Sequence, residues 1–358
     1  MNSDCLKLTC YYGERHRTEH GFVADELLNL YGRHDTAVSI TLRGVEGFGL
    51  KHHLRTDTSL TLSEDLPAVT IAVDTRPRIQ ALVGEVAALP GIGLITLERA
   101  RLLQDGVGDL SLPGDLQEAT RLTVFLGRKD RVDGTPAFMA VCDLLHRRGV
   151  AGATVLLGVD GTAHGHRERA RFFGRNANVP LMVLAVGAGP QITAVLPELD
   201  TLLNRPLITL ERVRICKRDG LLVNPPQPLP RADDQGLALW QKLSIFTSEG
   251  ALHDGRPIHR AITRALRGHG SSGATSLRGI WGFHGDHPPH GDRPFQIGRR
   301  VPTVTVVIDT PDKISQAFPI VDTFTRERGL VTSELVPAAR STTAHHGHGG
   351  LDLANHTW

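Results

Sequence analysis

A motif that recurs three times along the 358 residues constrains this chain more than any other feature. The segments TLRGVEGFG, VLLGVDGTA and SLRGIWGFH align on Gly44, Gly158 and Gly279, which lie 114 and 235 residues apart from the first. Leu8, Leu122 and Leu243 keep the same two spacings. Further on, Pro67, Pro180 and Pro302, then Thr96, Thr209 and Thr332, hold the register to within one residue. Self-similarity at so long a period marks whole domains rather than the short units of a solenoid. Residues 5–103, 119–216 and 240–339 are read as three such domains. The stretches 104–118 and 217–239, rich in Gly, Pro and Asp, are read as linkers, and 340–358 as a disordered tail.

Each copy alternates strand-like and helix-like patterns. LKLTCYYG is a strand run, and Phe22, Val23, Leu27, Leu28 and Tyr31 follow at helical spacing. Pro136 and Pro257 open the corresponding helix in the other copies, with Gly149 and Gly268 near its end. A strand ending at the shared glycine comes next, then a long loop. A strand opening at the shared proline follows (PAVTIAVDT, PLMVLAVGA, PTVTVVIDT), then a second helix and a last strand. The order β-α-β-β-α-β places the chain in the α+β class, as three ferredoxin-like domains. Runs such as TVTVVI are nearly continuously apolar, which suits sheets covered on both faces.

Composition narrows the function. Hydrophobic residues make up 40% and charged residues 22% of the chain, enough for packed cores. No apolar run reaches the length of a membrane span and the first residues lack a secretory layout, so a cytoplasmic protein is expected. Cys5, Cys10, Cys142 and Cys216 form no C-x-x-C pair and are read as reduced packing residues. A net charge of +2 gives no basic field for nucleic acid.

At RGVEGFGLK (43–51) with SEDLPAVTIAVDT (63–75), the sequence resembles the PII-like domain-of-unknown-function 190 family. HDGRPIHRAI (253–262), SGATSLRGIWGF (272–283) and VPTVTVVIDTPDKI (301–314) carry the same resemblance in the third copy. It implies a small effector, commonly a nucleotide, bound in clefts between subunits. Long loops then report occupancy to a partner such as a membrane transporter or channel. Three fused copies would make an intramolecular pseudo-trimer that is monomeric in solution, with sheets inward and helices outward. The resemblance does not extend to the Gly-rich phosphate loop of PII proteins, which has no counterpart in PGIGLITLE, NRPLITLE or RGLVTSE.

Candidate ligand-binding residues are Arg43, Gly44, Gly47, Phe48 and Gly49 in the first copy, and Arg278, Gly279, Gly282 and Phe283 in the third. Glycines that adopt positive φ let the backbone cradle an anion, and an arginine beside them supplies charge. The plain alternative is that these glycines only turn the strand into the loop. The second copy has Leu157 in place of the arginine, so copies one and three are expected to carry recognition and copy two to be structural. Metal binding is the alternative function. His284, Asp286, His287 and His290 are transition-metal ligand types at short spacing, in the manner of copper-tolerance trimers. The loop 163–175 clusters Arg167, Arg169, Arg171 and Arg175 around Phe172 and Phe173, and reads as a solvated basic loop. Glu98, Glu211 and Glu334 recur two residues after the shared threonine and are expected in interface ion pairs. With no nucleophile elbow, Walker loop or H-E-x-x-H, neither an enzyme nor a resident cofactor is expected.

Overall fold

A computed structural model describes residues 2–57, 65–103, 119–163, 166–169, 179–203, 206–285, 287–291, 301–342 and 347–356. Repeat one comprises β1 (Asn2–Gly13), α1 (Val23–Arg33), β2 (Val38–Phe48), β3 (Pro67–Thr75), α2 (Arg76–Ala88) and β4 (Ile92–Leu103). Repeat two comprises β5 (Thr120–Gly127), α3 (Ala137–Arg147), β6 (Gly152–Leu157), β7 (Asp160–Ala163), β8 (Pro180–Gly187), α4 (Gly189–Leu203) and β9 (Leu207–Arg212), followed by β10 (Arg214–Arg218). Repeat three comprises β11 (Trp240–Ser248), α5 (Ile258–His269), β12 (Ala274–Arg278), β13 (Trp281–His284), β14 (Pro302–Asp309), α6 (Pro311–Phe324) and β15 (Leu330–Val336). It continues into β16 (Ala338–Thr342) and β17 (Gly347–Gly350).

Every repeat builds the same antiparallel sheet. Its order is β2–β3–β1–β4 in repeat one, β6–β8–β5–β9 in repeat two and β12–β14–β11–β15 in repeat three. Alternation along the first strand explains the nearly continuous apolar runs, because both faces are buried. Leu6, Leu8, Cys10 and Tyr12 pack under Leu27, Tyr31, Ile79 and Leu82 of the two helices. The opposite face meets the other repeats: Cys5, Val69 and Ile71 share a core with Phe125, Leu156 and Met182 of repeat two and Leu277 of repeat three. Sheets therefore face inward and helices outward.

Two sets of strand pairings close the three repeats into a ring. In the first, the end of β2 pairs with β12 (Phe48 opposite Ala274), β13 with β6 (His284 opposite Gly152) and β7 with β2 (Ala163 opposite Val38). In the second, β4 pairs with β9, β10 with β15 and β16 with β4. Each repeat thus lends one segment to each neighbour. This head-to-tail arrangement closes on itself and leaves no repeat at an end.

The linker 217–239 is anchored at its start. Lys217 is fully buried, with its ammonium 2.6 Å from Asp322 and 3.1 and 3.0 Å from the carbonyl oxygens of Asp322 and Thr325, where it caps α6. One expectation is corrected: 340–358 is not a disordered tail over its described part. β16 pairs with β4, β17 folds back on β16, Leu351 and Leu353 pack on the core of repeat one, and Ala354 is buried. Among the described residues, the edge of β4 has no other neighbour along Leu94–Leu97, and backbone polar groups at a buried edge need partners. Gly349, at a φ of 84°, comes so close to Ala339 and Trp240 that no side chain would fit. His348 meets the Trp240 ring edge-on at 5.5 Å. Cys5, Cys10, Cys142 and Cys216 are free and buried.

Candidate functional site

Between repeats one and three lies a cavity of about 420 Å³. Repeat one supplies Tyr11 and Tyr12 at the end of β1, the segment Gly47–Lys51 leaving β2, and Gly91–Leu94 leading into β4. Repeat three supplies Ser272–Thr275 before and within β12, with Val306, Ile308 and Trp240 as an apolar floor. Ser341 and Thr342 of β16 complete the wall. Among the described residues, His16, Lys51, His53 and Arg55 border the cavity, and no carboxylate does. Asp65 stands just behind, 3.0 Å from Arg55 and 3.3 Å from His16 Nε2, while His16 Nδ1 donates to the carbonyl of Gly91 at 2.6 Å. Those bonds fix the imidazole and the guanidinium against the wall.

The sequence candidates divide between two boundaries. Gly47, Phe48 and Gly49 line this cavity. Gly44 lies beside them against Pro67, and Arg43 points away, its Nε 2.9 Å from Glu14. Arg278 also stands outside the lining; it bonds Glu249 at 2.6 Å and Asp57 of repeat one at 3.0 Å. Gly279, Gly282 and Phe283 belong to the boundary of repeats three and two, where Phe283 is fully buried in the core of repeat two.

Gly44, Gly47 and Gly49 do not take positive φ, whereas Gly282 does, at 152°. A Cβ on Gly47 would stand 2.7 Å from the carbonyl oxygen of Ala274; on Gly161, 2.4 Å from that of Ser39; on Gly282, 2.1 Å from that of Ala153. Those three partners occupy one equivalent position. Gly44, Gly158 and Gly279 likewise meet the recurring prolines Pro67, Pro180 and Pro302 within 3.0 Å. The repeated G-x-x-G is a clasp that brings the backbone of one repeat against the next.

The histidine-rich loop does not assemble a metal centre among the described residues. His284 Nε2 bonds the carbonyl oxygen of Thr247 at 3.1 Å, and burial pulls its imidazole down to about 4. His290 Nδ1 bonds the carbonyl oxygen of Pro288 at 3.0 Å, and His287 is exposed. Asp286 lies outside the described residues, as do residues 170–178 of the basic loop. Among the described residues, the one group of three potential ligand atoms within 4.8 Å of one another is Glu98, Glu211 and Glu334.

Those three glutamates form half of a ring that the sequence reading missed. Lys7, Arg121 and Lys242 occupy equivalent positions on the first strand of each repeat, at spacings of 114 and 235 residues, and point to the same centre. Lys7 bridges Glu98, at 3.0 Å, and Glu211. Arg121 bridges Glu211 and Glu334. Lys242 bridges Glu334, at 2.7 Å, and Glu98. Six charges alternate around the axis, and every second bridge crosses a repeat boundary. Burial alone would raise the carboxyls of Glu98 and Glu211. The surrounding ammonium and guanidinium groups outweigh it, holding Glu98 well below the usual carboxylate range and Glu211 at about 2. A search for cations of either type at the repeat spacings finds the partners; a search for one residue type does not, because Arg121 replaces lysine.

One family model, DUF190 (Uncharacterized ACR, COG1993), matches three times, over residues 5–102, 119–215 and 240–338. The chain belongs to the DUF190 family. Two curated relatives are similar to single copies of the domain. A UPF0166 protein of Aquifex aeolicus is 29% identical over 92 residues, which is 26% of this chain and 86% of that protein. UPF0166 protein MJ1524 of Methanocaldococcus jannaschii is 30% identical over 103 residues, which is 28% of this chain and 94% of that protein. Among solved structures, an aspartate kinase from Synechocystis superposes with a TM-score of 0.23 at 11% identity. That match covers 96% of this chain and 46% of the kinase, and it is too slight to bear on the fold. Among the described residues of this DUF190 chain, no helix is long and apolar enough to cross a membrane.

Proposed function

We propose that this DUF190 chain is a PII-like regulatory protein. It binds a small anionic ligand, of which a nucleotide is one form, in the cleft between repeats one and three, and passes its occupancy to a protein partner such as a transporter or channel. The sheet order, with both helices of each repeat on the outer face, suits three ferredoxin-like domains in the PII-like manner. The observation that carries the reading is the lining of the cleft: among the described residues it has four basic side chains and no acidic one, beside the aromatic rings of Tyr11, Phe48 and Trp240. A concave, mostly apolar pocket with a few convergent charges suits a planar or compact anion. The wall that carries Lys51, His53 and Arg55 is the loop leaving β2, so a ligand held there acts directly on the segment best placed to signal.

A melting-temperature screen of the purified chain with AMP, ATP and pyrophosphate tests the reading, since a ligand of the native state raises the melting temperature by mass action. Lys51→Ala and Arg55→Ala should each weaken the anion that binds by about tenfold or more, the worth of one charge-assisted hydrogen bond. No response to any of the three anions, or wild-type affinity in both variants, would refute it.

A further inference from the structure

The cleft between repeats three and two is built from counterparts of the open cleft, yet its own chain fills it. Gly49 of repeat one corresponds to His284 of repeat three, Tyr12 to Thr247, and Gly273 to Gly152 of repeat two. All three members of the first set line the open cavity. A Cβ on Gly49 would meet nothing within 4 Å. At the other boundary the His284 imidazole spans the corresponding space. Its Nε2–H donates to the Thr247 carbonyl oxygen at 3.1 Å, and Nδ1 lies 3.6 Å from where a Cβ on Gly152 would stand.

The next residue tightens the closure. Gly285, at a φ of 55°, donates its N–H to the carbonyl of Ala151 at 2.9 Å, and a Cβ on it would stand 2.8 Å from Asp219 Oδ1. Their counterparts in the open cleft, Leu50, Ser272 and Thr342, line the cavity from separate walls. The floor differs too. Ala119 stands where the open cleft has Trp240, and it is packed with Phe246, Val186 and Val213 in a small core of its own.

We propose that His284 is a built-in stopper, and that the residue at this position of each repeat decides whether its boundary can take a ligand: glycine leaves the seat open, and histidine sits in it. The inference rests on the ligand reading of the cleft between repeats one and three. An imidazole reaching the same carbonyl from position 49 would lie across the space bordered by Lys51 and Arg55, and it would bring no negative charge to replace the displaced anion.

Two variants test it. Gly49→His transplants the stopper, and should lower affinity at least 100-fold for whichever of AMP, ATP and pyrophosphate binds the wild type best. The melting temperature should hold, since the backbone at Gly49 is ordinary and the space is open. His284→Gly empties the closed seat. It should leave the affinity of the first cleft unchanged, lower the melting temperature, and regain that loss with millimolar imidazole, to which the wild type does not respond. The imidazole measurement needs no anion. If none of the three anions binds the wild type but imidazole restores His284→Gly, the ligand reading falls and the stopper stands. A Gly49→His chain that binds like wild type, or a His284→Gly chain indifferent to imidazole, overturns the stopper.

Discussion

Replacing Glu98 by Gln removes one of three negative charges from the axial ring and leaves three cations facing two carboxylates. Lys7 then keeps only Glu211 and Lys242 only Glu334, while Arg121 keeps Glu211 and Glu334 and loses its longer contact to Glu98, at 3.8 Å. Losing one member of a buried pair costs about 3–5 kcal/mol, because the remaining charge cannot return to water. Unfolding entropy near 2.1 cal/mol/K per residue amounts to about 0.75 kcal/mol/K for a chain of this length, so the midpoint should fall by about 4–7 °C. Scanning calorimetry at neutral pH and fixed salt measures this. A second substitution, Lys242→Met, should recover part of the loss by restoring neutrality. Acid titration reports the same ring. The folded carboxyls of Glu98 and Glu211 are depressed, so the unfolded chain binds more protons between about pH 4.3, where free glutamate titrates, and about 2, where Glu211 does. The stabilisation is fully present above that window and is lost as pH falls through it. A Glu98→Gln midpoint within 1 °C of wild type, or a double variant worse than the single one, would refute the ring as a unit.

Other outcomes follow from the boundaries. Gly161→Val should destabilise the junction of repeats two and one, because its side chain would collide with the Ser39 carbonyl; denaturant unfolding should show a loss of more than 1 kcal/mol. Trp240→Ala should cost about 3–5 kcal/mol by the cavity it leaves among Ile308, Val336 and Ala339, measured by the same unfolding. Lys217→Met should cost less than a broken ion pair, since Asp322 is partly exposed and can be hydrated once the ammonium is gone. Light scattering should give the mass of one chain, 38.9 kDa, because each repeat already finds both neighbours within the chain.

The repeat, the strand and helix order and the inward sheets were legible because glycine, leucine, proline and threonine spacings survive divergence in everything between them. Other features were legible as recurrences but not as roles. Gly47, Gly161 and Gly282 announce that something needs a missing Cβ, but the carbonyl that needs it belongs to a residue more than a hundred positions away in the ring. The axial ring was half visible, as glutamates, because all three carboxylates are the same residue while the cations are two lysines and an arginine. The last segment misled by composition. Glycine and histidine usually accompany solvated chain. Here they allow a hairpin to lie flat on Trp240 and to pair with β4, a tertiary demand that local sequence does not display. Lys51, His53 and Arg55 escaped notice for a related reason: the sequence places them beyond the motif, and only the fold turns their loop back over Tyr11 and Tyr12.

Fusion separates what must stay equal from what can differ. The clasp glycines and the recurring prolines make the same contacts at all three boundaries, and the charge ring has the same sign pattern in every repeat, because the ring closes only if each junction has the same geometry. The cavity walls carry no such demand. At the position of Trp240 the other repeats have Cys5 and Ala119, and at the position of Gly49 repeat three has His284. In a ring of identical chains a histidine at this position would stop every cleft together. In one chain it can stop one boundary and leave another open, so a single sequence can hold an open cleft and a closed one around the same axis.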